Sequence, residues 1–244
     1  CVVQSVQRRN FGRNQVLKPS TFYTPADEQE ILQILDRHRG QRIRAVGRLH
    51  SWSDAVLSDD VLLDLRRLNA VQLHSEGDQL VAEVGAGCQI KRLLKELNRH
   101  DATLQSLGLI TEQTIAGAIS TGTHGSGRHS MSHYVEGVRL ARYDASTGKV
   151  VIDELSTGEP LQAARCSLGS LGIILSVRIH CREQYNVKEH FTETRRLSHV
   201  LDAEASFPLQ QFYLIPWRWS YFIQHRCEDD QPRSRLARLY RIYW

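Results

Sequence analysis

The stretch Thr114-Ile115-Ala116-Gly117-Ala118-Ile119-Ser120-Thr121-Gly122-Thr123-His124-Gly125-Ser126-Gly127 decides how this chain is read. Glycine recurs at Gly117, Gly122, Gly125 and Gly127. Ile119 and His124 are the bulky residues between them, and the rest are small or hydroxylic. Such a composition lets a flat or charged ligand lie directly against backbone, with Ser and Thr hydroxyls as polar partners. The competing reading is a plain glycine-rich surface loop. Binding is preferred, because loops on a rigid scaffold carry function disproportionately often. Ser106-Leu107-Gly108, just upstream, is read with this segment.

Two further segments share its character. Gly47-Arg48-Leu49-His50-Ser51-Trp52-Ser53 follows a short apolar run, Arg42 to Val46, expected to be a strand. Glycine at a strand end lets backbone N–H groups turn toward an anion such as a diphosphate, and Ser51 and Ser53 add donors. Ser167-Leu168-Gly169-Ser170-Leu171-Gly172-Ile173 opens a second expected strand, in which Ile173, Leu175, Val177 and Ile179 share one face. Each of these two segments, taken alone, is an ordinary turn.

Outward from them the chain alternates short strands with few helices. Thr24-Pro25-Ala26-Asp27 reads as a helix start with Thr24 as cap and Pro25 in the first helical position. Ile31, Ile34 and Leu35 then fall on one face, and Gly40 ends the helix. Val61 to Leu65 is a second strand, so the expected opening order is helix, strand, strand. Val71 to His74 and Gln79 to Val84 form a hairpin around Glu76-Gly77-Asp78. Ile90, Leu93, Leu94 and Leu97 make a helix face, and Val138 to Arg142 pairs with Lys149 to Asp153 around Ser146-Thr147-Gly148. This mixture predicts an α+β fold and not a doubly wound parallel sheet. Past Glu183 the chain turns polar and then aromatic, from Phe207 to Ile223, which places a domain boundary there: residues 1–182 and 183–244.

Composition narrows the function classes. The 244 residues carry a net charge of +4, and arginines interleave with acids, as in Asp64-Leu65-Arg66-Arg67. That is the pattern of solvated faces, and no nucleic-acid partner is expected. No apolar run approaches the roughly 18 residues of a membrane span. The five cysteines, Cys1, Cys88, Cys166, Cys181 and Cys227, are odd in number and widely spaced, which argues against a disulfide framework and for a reducing, cytoplasmic setting. His124, His129 and His133 suggest a metal site, with His129 and His133 one helical turn apart. The glycines before them make a poor helix start and no cysteine is near, so no metal is expected.

Taken in order and spacing over residues 17 to 182, the three segments resemble the vanillyl-alcohol-oxidase (PCMH-type) FAD-binding domain, specifically its sugar-lactone and alditol oxidase branch. Gly47-x-x-His50-Ser51-x-Ser53 looks like the flavin-attachment loop of that branch. The resemblance implies an FAD-dependent oxidoreductase acting on a CH–OH group of a polyol or sugar lactone, with electrons passed to oxygen or another acceptor. It implies a two-subdomain flavin domain followed by the start of an α+β substrate domain.

It also implies roles for individual residues. His50 would carry FAD through an 8α-histidyl bond, and a neutral imidazole is a competent nucleophile for such attachment. Backbone from Val46 through Gly47, Arg48, Leu49 and His50 to Ser51 would cradle the diphosphate, and Arg48 departs from the small residues common there and is expected to pair with phosphate. Ser106, Thr114, Gly117, Thr121, Gly122, Thr123 and His124 would line the isoalloxazine and diphosphate, and Ile173 the adenine side. In the resembling family the active-site acid and base lie in a later segment, so none is assigned here, and the chain is expected to be incomplete as an enzyme. The alternative is a module that binds flavin without turnover.

Overall fold

The computed structural model describes residues 2–4, 6–77 and 79–231. It separates into two compact units. The first comprises Cys1–His124 and Ser130–Arg182, the second Gly125–His129 and the chain from Glu183 onward.

The first unit opens with four short strands: β1 (Val2–Gln4), β2 (Arg8–Arg9), β3 (Val16–Leu17) and β4 (Thr21–Tyr23). This corrects the expected opening on a helix; at two or three residues these strands carry no readable periodicity. Helix α1 (Glu28–Arg37) follows, then β5 (Ile43–Val46) and β6 (Val61–Asp64). The first sheet has the order β1-β4-β6-β5, with β6 parallel to both β4 and β5. Val61, Leu62 and Leu63 of β6 are all fully buried, as expected of a parallel strand covered on both faces. Leu62 packs with Leu17, Phe22 and Val46 on one side, while Val61 and Leu63 join Ile31, Ile34 and Leu35 of α1 in the main core.

The cap of α1 is Asp27, not Thr24. Its carboxylate accepts the Glu30 N–H at 2.9 Å, and the Glu30 carboxylate reaches back to the Ala26 N–H at 2.6 Å. The helix stops at Arg37, capped by His38, and Gly40 lies in the turn beyond.

The second sheet is built from β7 (Val71–Glu76), β8 (Gln79–Gly85), β9 (Ala102–Leu104), β10 (Val135–Tyr143), β11 (Val150–Leu155) and β12 (Ile173–Glu183). Its order is β11-β10-β12-β8-β7, with β9 added beside β12. Both expected hairpins are present as antiparallel pairs, although Asp78 of the first turn lies outside the described residues. Helix α2 (Ile90–Leu97) buries Ile90, Leu93 and Leu97 as its periodicity predicts. In this unit the short helices α3 (Ile115–Ser120) and α4 (Gly158–Arg165) have no counterpart among the sequence expectations. Helix α1 joins the two sheets. Arg139 on β10 donates to Glu28 at 2.7 Å, and the Tyr143 hydroxyl donates to the Leu35 carbonyl at 2.5 Å.

A second junction is made by backbone alone. The Gly85 N–H donates to the Ala70 carbonyl and the Gly87 N–H to the Leu68 carbonyl, both at 2.9 Å. A Cβ on Gly87 would stand 1.7 Å from the Leu65 carbonyl oxygen, so no side chain fits.

The second unit contains β13 (Asn186–Thr194), α5 (Leu197–Asp202), β14 (Gln211–Ile215) and β15 (Ser220–Asp229), with sheet order β13-β15-β14. The polar stretch after Glu183 is therefore a strand, paired with β15 from Asn186↔Asp229 to Thr194↔Tyr221. On one face Arg226 donates to Glu189, Gln224 and Gln211. On the other, His225 stacks with His190 at 4.8 Å and meets Phe207 at 4.4 Å. Burial, and then the neighbouring His190, lower the pKa of His225.

The α1 cap and the Gly87 contact differ in how much change they tolerate. Asp27→Ala is expected to cost about 1 kcal/mol in urea unfolding, the usual loss for a helix cap. Gly87→Ala is expected to cost more, because a carbonyl oxygen must move to admit the methyl group. A neutral Gly87→Ala would contradict this packing.

Candidate cofactor site

Three loops of the first unit surround one cavity of about 420 Å³. The first leaves β5 at Val46 and is fixed by the N-terminal segment. The Phe11 N–H donates to the Leu49 carbonyl at 2.8 Å, Asn10 Nδ2 to the Ser51 carbonyl at 2.9 Å, and Asn14 Nδ2 to the Trp52 carbonyl at 2.9 Å. Leu49 is held at φ 57°, a conformation that leucine rarely adopts. The His50 ring stacks on Phe11 with centroids 4.8 Å apart and planes 23° apart. Among the described residues, neither ring nitrogen of His50 has a hydrogen-bond partner.

The second loop begins at the buried Thr114, which precedes α3 in extended conformation. A Cβ on Gly47 would lie 2.2 Å from Thr114 Oγ1, and one on Gly117 3.2 Å from the same atom. Glycine at 47 thus lets the first loop press against the second. The backbone of α3 is anchored from behind: the Ile115 N–H donates to the Cys88 carbonyl at 2.8 Å and the Ala116 N–H to the Ala86 carbonyl at 3.3 Å. The third loop carries Leu168 at φ 52° and Gly169 at φ 69° before β12 starts at Ile173. It is tied to the first strand by Arg44, whose NH1 donates to the Gly169 carbonyl at 3.3 Å.

The cavity lining contains Val46, Gly47, Arg48, Leu49, His50, Ser51, Thr114, Gly117, Thr121 and Ile173, all of them sequence-selected. Ser106, Gly122, Thr123 and His124 are outside that lining. Thr123 and Gly122 instead continue the end of α3, donating to the Ala118 carbonyl at 3.1 Å and the Ile119 carbonyl at 3.2 Å. The glycine-rich stretch is also divided, with Gly125–His129 belonging to the second unit.

Arg44, Trp52, Ser120 and Gly169 line the cavity without having been chosen as site residues. For Arg44 the signal was present: a charged residue between Ile43 and Ala45 in an otherwise apolar strand. The lining holds two arginines and no carboxylate. A second cleft, of about 430 Å³, lies against the same Val46–His50 segment and is lined by Arg8, Arg9, Arg48 and Arg66 together with Asp64 and Glu112.

No α-helix covers His129 and His133: Ser130 is extended, and Met131–Tyr134 is a single 3-10 turn. Among the described residues, no group of three or more His, Cys, Asp or Glu side chains could hold a metal ion. Among the same residues, no helix is long and apolar enough to cross a membrane.

A cavity walled by backbone, lined by arginine and free of carboxylates suits a ligand that is both flat and anionic. Fold and cavity define a cofactor-binding domain of the α+β class. The chain belongs to the FAD binding domain family, whose model matches residues 19–152. It is 81% identical over its whole length to a long-chain alcohol oxidase of an uncultured marine euryarchaeote, covering 51% of that protein. It is 31% identical to the L-gulonolactone oxidase of Mus musculus over 88% of the chain and 49% of the relative. With the D-arabinono-1,4-lactone oxidase of Eremothecium gossypii it shares 33% identity over 90% of the chain and 44% of the relative. The chain thus spans about half the length of these relatives. In fold it is similar to the cholesterol oxidase of B. sterolicum, with a TM-score of 0.83 at 16% identity over 96% of this chain and 50% of that one.

Burial also sets thiol reactivity. Burial pushes the Cys88 thiol up to about 11 and the Cys181 thiol up to about 12, whereas Cys166 is exposed and its Sγ lies 3.4 Å from the carbonyl of cavity-lining Ser120. Iodoacetamide at pH 8 is expected to modify Cys166 well before Cys88 or Cys181, as read by peptide mass spectrometry. Rapid labelling of Cys88 in the folded chain would contradict the burial of the α3 anchor.

Proposed function

We propose that this chain is the cofactor-holding part of an FAD-dependent oxidoreductase that oxidises a CH–OH group of a small alcohol, with FAD covalently attached at His50. The observation that carries this reading is the cavity itself: three glycine-bearing loops, two arginines, no carboxylate and an imidazole whose nitrogens have no hydrogen-bond partner among the described residues. FAD, when bound, supplies the acceptor for a hydride from the alcohol carbon, and the electrons go on to oxygen or another acceptor.

The chain's own residues bind and orient. Backbone from Val46 to Ser51 cradles the diphosphate, Thr114, Gly117 and Thr121 approach the ring system, and Ile173 faces the adenine side. Ser106, Gly122, Thr123 and His124, which lie outside the cavity lining, are kept on the ring side by the family resemblance alone. Phe11 fixes the plane of the His50 ring by stacking, so that attachment holds the cofactor in one orientation. Residues 1–182 form the flavin domain and residues 183–244 the beginning of a substrate domain. No residue present is assigned as catalytic acid or base. The setting is cytoplasmic, and the substrate is a small molecule.

A polyol or sugar lactone is the substrate class that the lactone-oxidising relatives support. The 81% identity to a long-chain alcohol oxidase favours a second reading, an aliphatic alcohol. Both keep the same reacting group.

The test is acid precipitation of the chain after incubation with FAD. Flavin is expected to stay in the pellet for the unaltered chain and to pass into the supernatant for His50→Ala. Complete release from the unaltered chain would overturn attachment, and a chain that never turns yellow would overturn the cofactor reading.

A further inference from the structure

Arg44 occupies an unusual position on the cavity wall. It projects from β5 three residues before Gly47, and its NH1 is tethered to the Gly169 carbonyl of the third loop. Its Nε is buried and has no hydrogen-bond partner among the described residues. A buried N–H left unsatisfied is costly, and the cavity lining offers no carboxylate to pair with it. Arg48, in contrast, is exposed, and its charge acts on Glu112, whose carboxyl is lowered chiefly by the Lys91 hydrogen bond and to a lesser degree by Arg48.

We propose that Arg44 is the anion partner of the adenosine-diphosphate half of FAD, and that it makes the cavity select a flavin dinucleotide over a flavin mononucleotide. This rests on the cofactor reading above. A guanidinium already held by one N–H keeps its plane while the remaining donors face a phosphate, which is the geometry arginine serves best. The two anchors lie at different places along the site. Arg44 is fastened to the third loop, which also carries Ile173, while His50 is fastened to Phe11. Between Arg44 and Gly47 lie about 10 Å of extended strand before the loop turns. The flavin end therefore falls to His50 and the adenine-side phosphate to Arg44.

The test measures FAD and FMN binding by equilibrium dialysis, in a His50→Ala background so that binding is reversible. With Arg44 intact, FAD is expected to bind more tightly than FMN. Arg44→Met is expected to weaken FAD by about tenfold or more, the scale of one lost charged hydrogen bond, and to leave FMN within about twofold. Arg44→Lys is expected to recover part of the loss. Equal affinity for FAD and FMN with Arg44 intact, an unchanged preference in Arg44→Met, or an equal loss for both flavins would each overturn the proposal. Should Arg44→Met fail to fold, Arg44→Lys decides it: wild-type preference with lysine would overturn a role that depends on the tethered guanidinium. Failure of the His50→Ala protein and of the unaltered chain to bind any flavin would instead overturn the cofactor reading, and Arg44 with it.

Discussion

Everything about this site depends on glycines that bring backbone closer to a neighbour than any side chain allows. Gly47 presses on the Thr114 side chain with no room for a Cβ, and Gly87 presses on the Leu65 backbone carbonyl. Through the first contact the loop after β5 touches the loop before α3. Through the second, the end of β8 is locked to the segment following β6. The residues from Gly85 to Cys88 then act as a hub. They donate to Leu68, Ala70 and Leu175 and accept from Ile115 and Ala116, so the two sheets and α3 are registered by main-chain hydrogen bonds. Such bonds do not vary with side-chain rotamers, and the cavity they frame is correspondingly preformed.

The same framework sustains local strain. Leu49 and Leu168 both take left-handed backbone conformations, and both stand in cavity-lining loops. Each costs on the order of 1–3 kcal/mol and persists only where surrounding structure overdetermines it. For Leu49 the determinants are the Phe11 amide and the Asn10 side chain, which hold the carbonyls on either side of His50. For Leu168 a determinant is the Arg44 tether to the next residue.

The sequence made the larger elements readable and the smaller ones not. Strands β5, β6, β7, β8, β10, β11 and β12 and helices α1 and α2 were legible because each buries a regular set of apolar residues, such as Ile90, Leu93 and Leu97. The α+β class and the FAD-binding family followed from those elements and from the order of the three loops. Helix α3 was hidden because Gly117 costs roughly 1 kcal/mol in a helix and its neighbours are small; burial of Ile115, Ala118 and Ile119 outweighs that preference. Strands β13 and β15 were hidden by charge: Glu189 and Arg226 are strand residues paired with each other across the ladder, at 2.5 Å. Within the site, the glycines advertised themselves, whereas Arg44 was passed over in favour of Arg48. Sequence gives the number of charges near a loop, and only packing tells which of them has a buried N–H left without a partner among the described residues, as Arg44 Nε does.

The central claim is that three loops far apart in sequence form one FAD site. Hydrogen–deuterium exchange of the chain with and without FAD tests it most directly. The account predicts that amides in 46–51, 114–121 and 168–174 gain protection together on FAD addition. Protection confined to one of these segments, or appearing only in residues 183–231, would contradict it.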